Sequence, residues 1–266
     1  MTENLREILL GVVGAGIAAA VGWLARTYLW RRKLHRKQRF LGLPDHSECV
    51  LVVNRDAGTS DWAVARHDVF ALLELSAMIK DCGAHADVIS HETAHQGFGE
   101  RTEFCVGGPV SNRRMAAHLQ SLLPGVAVNT DMEPGPDRGA FSIGGERYAL
   151  ENGTAEYVLL ARLTAGQSEN TRPVFLFCGQ RSITNQAAAR YLARHQTRLA
   201  RKYGLGGDFC LLLKVVNSQA YGPDVVELIA DVTRTATNPA PAATGSRRAR
   251  RRGGDTGPSQ PSATSA

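Results

Sequence analysis

Two segments of the chain share a pattern of glycine, serine and asparagine that is suited to holding an anion. Residues 104–119 read FCVGGPVSNRRMAAHL, and residues 177–192 read FCGQRSITNQAAARYL. Each segment passes from an apolar run through a glycine turn into an alanine-rich stretch that is typical of a helix. Glycine allows a tight turn and a close approach of the backbone, and Ser or Asn caps the N–H groups at a helix start. Two such helix starts in one crevice favour a phosphate group there.

We therefore predict a ligand site made by both turns and by the polar loop after the first apolar run. The predicted ligand-binding residues are Gly107, Gly108, Ser111, Asn112, Gly179, Ser182, Asn185, Asn54 and Asp56. Positive charge would come from Arg113, Arg114 and Arg181. The alternative is that these turns and caps only build ordinary strand–helix units. Since the pattern is neither GxGxxG nor a P-loop with its lysine, the ligand and any cofactor are unknown.

The loop from Asn54 to Asp68 is more polar than a simple connection between a strand and a helix requires. It fits recognition of a ribose or a base. If the protein is an enzyme, Asp56, Asp61 and Asp68 are the carboxylates available for general acid–base catalysis. The alternative for Asp68 is that it caps the following helix. No GxSxG turn and no Ser-His-Asp order is present, so no catalytic residue is assigned.

The segment His91-Glu92-Thr93-Ala94-His95 matches the HExxH pattern of zinc peptidases. Those enzymes need both histidines one turn apart on a stable helix, with a third ligand elsewhere. Here the motif directly follows an apolar run, and glycines stand at positions 97 and 99. We interpret it as a chance match in a loop and predict no metal.

Five cysteines occur, and most of them lie in or beside apolar runs. They form no CxxC pair, which argues against a zinc ribbon or a thioredoxin-type redox site. The pattern indicates buried, reduced thiols in a reducing compartment. The five are Cys49, Cys82, Cys105, Cys178 and Cys210.

The N-terminal region has the composition of a membrane anchor. No charged residue occurs from Ile8 to Ala25, and about 20 helical residues span the hydrocarbon layer. The basic run WRRKLHRKQR follows the apolar stretch, which favours an uncleaved single-pass helix over a signal peptide. Because positive charge stays in the cytoplasm, we predict the N terminus outside and the domain inside. Small residues at four-residue spacing also make a homodimer through the anchor possible.

The net charge of +6 is unevenly distributed along the chain. Residues 1–40 carry +6 and residues 236–266 carry +4, which leaves −4 for residues 41–235. The negative charge of the domain argues against nucleic acid as a partner, whereas basic ends suit an anionic lipid surface. The tail is predicted to be disordered, and its RRARRR run suits lipid contact, a nucleic-acid arm or solubility alone.

The apolar runs between these motifs alternate between strand-like and helix-like periods. They predict an N-terminal transmembrane helix followed by a three-layer α/β Rossmann-like domain with a mostly parallel sheet and an antiparallel insertion. We place the anchor and its basic flank at 1–40, the domain at 41–235 and the tail at 236–266.

The two glycine turns, GGPVSN and CGQRSITNQ, resemble those of a Rossmann-like domain in membrane-anchored bacterial proteins, many of them actinobacterial. In outline this is similar to the nucleotide-binding folds of the sirtuin and lysine-decarboxylase-like groups. The PGGxGT turn of the latter group is missing here, so the resemblance implies a fold and a ligand class and transfers no catalytic residue.

These observations predict a membrane-tethered cytosolic domain that senses a phosphorylated, nucleotide-like ligand. The alternatives are an enzyme that acts on a nucleotide or nucleoside derivative, and a non-catalytic membrane assembly protein with an empty crevice.

Overall fold

A computed structural model describes residues 2–54, 63–93, 98–131, 133, 135–164, 166 and 171–239. The helices are α1 (Thr2–Leu41), α2 (Arg66–Lys80), α3 (Arg113–Leu122), α4 (Ser182–Lys202), α5 (Ser218–Tyr221) and α6 (Thr233–Thr237). The strands are β1 (Glu48–Val53), β2 (His85–Ser90), β3 (Thr102–Val106), β4 (Val126–Val128), β5 (Phe141–Ile143), β6 (Glu146–Tyr148), β7 (Ala155–Thr164), β8 (Pro173–Gly179), β9 (Phe209–Val216) and β10 (Val226–Asp231).

Seven strands form one mixed sheet in the order β10-β9-β7-β8-β3-β1-β2. The neighbours β2, β1, β3 and β8 are all parallel, while β7 is antiparallel to both β8 and β9. Five of the seven strands therefore run in one direction. The prediction of an α/β fold with a mostly parallel sheet is confirmed. Strands β3 and β8 are buried along their whole length, as expected for β8 from its continuous apolar sequence, whereas β3 also buries Thr102 and Glu103.

Antiparallel strand pairing occurs in two places in the fold. Strand β7, from the region predicted to be an antiparallel insertion, enters the main sheet between β8 and β9. Strands β4, β5 and β6 form a separate antiparallel sheet, with Gly144 and Gly145 in the turn between the last two. The short apolar run Val126–Val128 lies in the small sheet, where Val126 is buried in one cluster with Met115 of α3 and Ala236 of α6.

Two apolar clusters cover the two faces of the main sheet. On one face, α2, α4 and the end of α1 pack on side chains such as Leu51 and Phe177. On the other face, α3, the small sheet and α6 pack on side chains such as Val52 and Leu176. Phe40 and Ala236 lie just outside the predicted range 41–235 and are nonetheless buried in these clusters. The packed domain therefore includes residues on both sides of that range.

Helix α1 joins the domain only through its last turns. Gln38 and Phe40 are buried, whereas large apolar side chains between Val13 and Trp30 are exposed. Within the residues that the structure describes, no helix is both long enough and apolar enough to span a membrane.

Candidate functional site

A crevice of about 330 Å³ opens at the carboxyl ends of β1, β3 and β8. The helices that follow β1 and β3, α2 and α3, pack on opposite faces of the sheet. The strand order reverses between these two strands, and an open parallel sheet binds its ligands at such a reversal. The walls include six of the residues predicted from the sequence: Asn54, Gly108, Ser111, Gly179, Ser182 and Asn185.

The two glycine turns face each other across this crevice. A Cβ atom built on Gly108 would lie 3.2 Å from the carbonyl oxygen of Gly179, so the two backbones are close. On Gly179 itself, a Cβ would overlap the side chains of Thr184 and Asn185. Gly107 does not line the crevice. Its φ of +115° and its packing against Asn54 require glycine for the turn itself.

Two buried asparagines each leave an amide oxygen unpaired at this site. Asn54 is 7% exposed, and its Nδ2 donates to Ser111 Oγ at 3.2 Å. Asn185 is 2% exposed, and its Nδ2 donates to Asp68 Oδ1 at 2.8 Å. The Oδ1 atoms of both residues are buried, and among the residues that the structure describes they have no hydrogen-bond partner. A buried acceptor without a partner is costly, which suggests that a ligand supplies the missing donors.

Asp68 lines the crevice from the first turn of α2 and is fully buried. The residue before α2 is Ala65, so Asp68 is not the N-cap residue of that helix. One of its carboxylate oxygens instead accepts the hydrogen bond from Asn185 on α4. The two residues are 117 positions apart in the chain, so the sequence alone does not indicate that they pair.

The N terminus of α4 is the stronger of the two expected anion sites. The first hydrogen bond of this helix runs from Thr184 N–H to Arg181 O, so the N–H groups of Ser182 and Ile183 precede it. At α3, by contrast, Asn112 Oδ1 accepts from Met115 N–H and His91 Nδ1 accepts from Arg113 N–H. Asn112 does not line the crevice, and its Nδ2 donates to Val106 O. It caps α3, and both of its polar side-chain atoms are already hydrogen-bonded within the protein.

The predicted positive charge of the three arginines is largely not available at the crevice. Arg114 is paired with Glu103, and neither Arg114 nor Arg113 lines the crevice. Arg181 does line it, but its guanidinium is held by the buried carboxylate of Glu156 at 2.7 Å. The part of the crevice best suited to an anion is therefore the start of α4, with its backbone N–H groups and helix dipole.

The small sheet forms one wall of the crevice through Val128, Gly139 and Phe141. Gln180 fixes this wall, since its Nε2 donates to Gly139 O and to Tyr148 O at 3.1 and 2.9 Å. Sequence reasoning missed this residue, although it lies within the second glycine turn. Its importance becomes visible only when the small sheet is placed beside β8.

Other predicted residues lie outside the described part of the chain. These are Asp56 and Asp61 of the polar loop and His95 of the HExxH segment. Of that segment, residues 91–93 form a turn rather than a helix, and His91 approaches the start of α3. This geometry does not resemble the helical site of a zinc peptidase.

Among the described residues, Glu103, Cys105 and His118 are the group whose donor atoms are close enough to hold a metal ion. However, Glu103 already accepts hydrogen bonds from His118 at 2.6 Å and from Arg114 at 2.8 Å. Burial also raises the pKa of the Cys105 thiol well above its usual value. A cation would compete with Arg114, so we interpret this cluster as a structural link between β3 and α3.

All five cysteines are free and buried, as the sequence predicts. Burial raises the pKa of Cys178, the residue before Gly179, to about 12. This thiol stays protonated at neutral pH and does not serve as a nucleophile for the crevice.

Comparison of the chain with protein-family models, curated proteins and solved structures gave no match.

Proposed function

We propose that this protein is a membrane-tethered binding domain for a phosphorylated, nucleotide-like ligand. The observation that carries the proposal is the meeting of two glycine turns with the unpaired Asn54 and Asn185 oxygens in one crevice. The N–H groups at the start of α4 would hold the phosphate, because Arg181 and Ser182 line the crevice at the positive end of a 21-residue helix. A crevice that served only packing would not retain buried polar atoms without partners.

We propose that α1 is the membrane tether. This proposal rests on the uncharged sequence from Ile8 to Ala25 and on exposed apolar side chains such as Ile17, Val21 and Leu24. Exposed apolar side chains in such number need a non-aqueous partner. With the basic run after Trp30 on the cytoplasmic side, the N terminus would be outside and the crevice inside the cell.

Asp68 supports a second function, catalysis on the same class of ligand. It is a fully buried carboxylate that lines the crevice, which is the setting of many general acids and bases. If this function holds, Asp68→Asn would bind the ligand and lose turnover. If the domain only binds, no turnover of any bound compound would be detected with the unaltered protein.

The binding proposal is tested by thermal unfolding of the full chain in detergent, with a panel of phosphate compounds. The panel contains inorganic phosphate, pyrophosphate, ribose 5-phosphate, mononucleotides and dinucleotides. At 100 times Kd, a ligand that binds the folded state adds about 2.7 kcal/mol to the free energy of unfolding. The full chain is required because Phe40 and Ala236 belong to the core.

A matched pair of variants assigns any stabilisation to the crevice. Gly179→Ala places a methyl group against Thr184 and Asn185 at the start of α4, and we expect it to abolish the stabilisation. The control is Gly206→Ala, which adds a methyl group outside the crevice with no atom within 4 Å, and we expect it to retain the stabilisation. Equal stabilisation of both variants would place the ligand elsewhere, and a panel without any effect would contradict the proposal.

A further inference from the structure

The unpaired atoms at the floor of the crevice are hydrogen-bond acceptors, which restricts the chemistry of the ligand. Their orientation is fixed by their neighbours. Asn185 must direct Nδ2 to Asp68, because a carboxylate accepts and does not donate. Ser111 Oγ donates to Gly108 O at 3.4 Å, so it accepts from Asn54 Nδ2. In both asparagines the oxygen is therefore the atom left for the ligand.

The two unpaired acceptors determine what the ligand must supply. A fully ionised phosphate group offers acceptor oxygens only, so the phosphate group alone leaves Asn54 and Asn185 unsatisfied. The ligand must carry donor groups beside its anionic group. Hydroxyls, ammonium groups and the N–H groups of a base are the common donors that fit this requirement.

Position separates these donors better than electrostatics, because the dipole at the start of α4 repels an ammonium group while the Asp68 carboxylate beside Asn185 attracts one. Asn185 belongs to the same first turns of α4 as the proposed phosphate site, so its donor comes from the part of the ligand next to the phosphate. In a nucleotide-like ligand that part is the sugar with its hydroxyls. The crevice volume of about 330 Å³ is at the small end for ligand pockets, which fits a sugar phosphate better than a whole dinucleotide.

We infer that the crevice recognises the ribose phosphate part of its ligand, with sugar hydroxyls donating to the Asn54 and Asn185 oxygens and the phosphate at the start of α4. This inference rests on the proposed binding function and specifies its ligand class. Asn54 and Asn185 are thus specificity residues, and the remainder of the ligand extends out of the crevice.

The test is calorimetric titration of the full chain in detergent with inorganic phosphate, ribose 5-phosphate, 2-deoxyribose 5-phosphate and phosphoethanolamine. We expect ribose 5-phosphate to bind about tenfold or more tightly than each of the others, because inorganic phosphate and 2-deoxyribose 5-phosphate offer fewer donors to the buried acceptors and phosphoethanolamine offers no hydroxyl. If the phosphate compounds bind with equal affinity, the binding function stands and the ribose inference is overturned. Tighter binding of phosphoethanolamine also overturns it. If none of the four binds but a nucleotide of the unfolding panel does, the binding function stands and the ribose inference is overturned. If no compound of either set binds, the binding function itself fails.

A variant at Asn54 tests whether the preference for ribose 5-phosphate depends on the Asn54 side-chain oxygen. We expect Asn54→Leu to weaken ribose 5-phosphate about tenfold and to leave inorganic phosphate unchanged. The control Asn238→Leu alters an exposed residue that does not line the crevice and should change neither affinity. If Asn54→Leu does not fold, Asn54→Asp keeps an acceptor and should keep the ribose preference. Loss of the preference in Asn54→Asp, or its retention in folded Asn54→Leu, would overturn the inference.

Discussion

At the scale of single residues, asparagines that look equivalent in the sequence have different tasks. Asn112 and Asn185 occupy the same place in the two similar segments. Both polar atoms of Asn112 are used within α3 and β3, whereas Asn185 keeps one oxygen unpaired at the crevice. Residue type and spacing predict that such residues lie at helix starts. They do not predict whether the side chain serves the helix or a ligand.

Replacement of Asn112 should therefore affect stability and not binding. We expect Asn112→Ala to lower the free energy of unfolding by about 2 kcal/mol, because it removes the cap of α3. Chemical denaturation measures this change, with the exposed Asn238→Ala as the control. Unchanged stability together with lost ligand binding would restore Asn112 as a ligand residue.

The ionisation of Glu103 should make the free energy of unfolding depend on pH. Burial raises its pKa, but hydrogen bonds from His118 and Arg114 outweigh burial and hold the pKa below the usual 4.5. The stability from ionised Glu103 is therefore present above about pH 4.5 and is lost as the pH falls through the lower, folded-state pKa.

The variant Glu103→Gln should lower the free energy of unfolding at pH 7 by about 3 kcal/mol, because it leaves Arg114 without its buried partner. At pH 3 the variant and the unaltered protein should differ less in their free energy of unfolding. Denaturation at both pH values checks this, and Glu151→Gln at an exposed position is the control. A deficit of equal size at both pH values would show that the charge of Glu103 is not the cause.

At the scale of elements, the crevice depends on three parts that come from distant regions of the chain. The starts of α3 and α4 and the small sheet meet because β3 and β8 are neighbours in the main sheet. Gln180 joins the small sheet to this arrangement, and its Oε1 also accepts from Tyr157 N–H of β7 at 2.8 Å. The hydrogen bonds from Gln180 and the apolar contacts of cluster residues such as Phe141 hold the small sheet at the mouth of the crevice.

Loss of Gln180 should loosen the small sheet while the main sheet stays intact. We expect Gln180→Leu to speed amide hydrogen exchange in residues 141–148, because local opening then breaks fewer hydrogen bonds. Exchange in β8 and β9 should not change. The control is Gln120→Leu on the exposed side of α3. Faster exchange throughout the domain would instead indicate that Gln180 supports the whole fold.

At the scale of the whole molecule, the exposed part of α1 has the charge pattern of an anchor. We expect the double variant Ile17→Lys and Val21→Lys to lose carbonate-resistant membrane association, since each buried lysine costs about 3 kcal/mol in a membrane helix. The control pair Arg31→Lys and Arg32→Lys preserves charge and should remain in the membrane. Extraction of the unaltered protein by carbonate would contradict the anchor.

The strands and helices around the site follow from local patterns in the sequence. Apolar runs predict β1, β3 and β8, and the glycine turns predict the starts of α3 and α4. The placement of β4 in a small sheet and the entry of β7 between β8 and β9 do not follow, because strand partners depend on contacts distant in sequence. For the same reason, the sequence suggests one crevice and does not identify Gln180 or the pairing of Asp68 with Asn185.

The most direct test of the central claim is hydrogen exchange of the full chain, with and without saturating ribose 5-phosphate. If both glycine turns hold one ligand, amides of residues 107–112 and 179–186 should be protected together, and Gly179→Ala should remove the protection. Protection of only one turn, protection elsewhere, or no change at either turn would contradict the account.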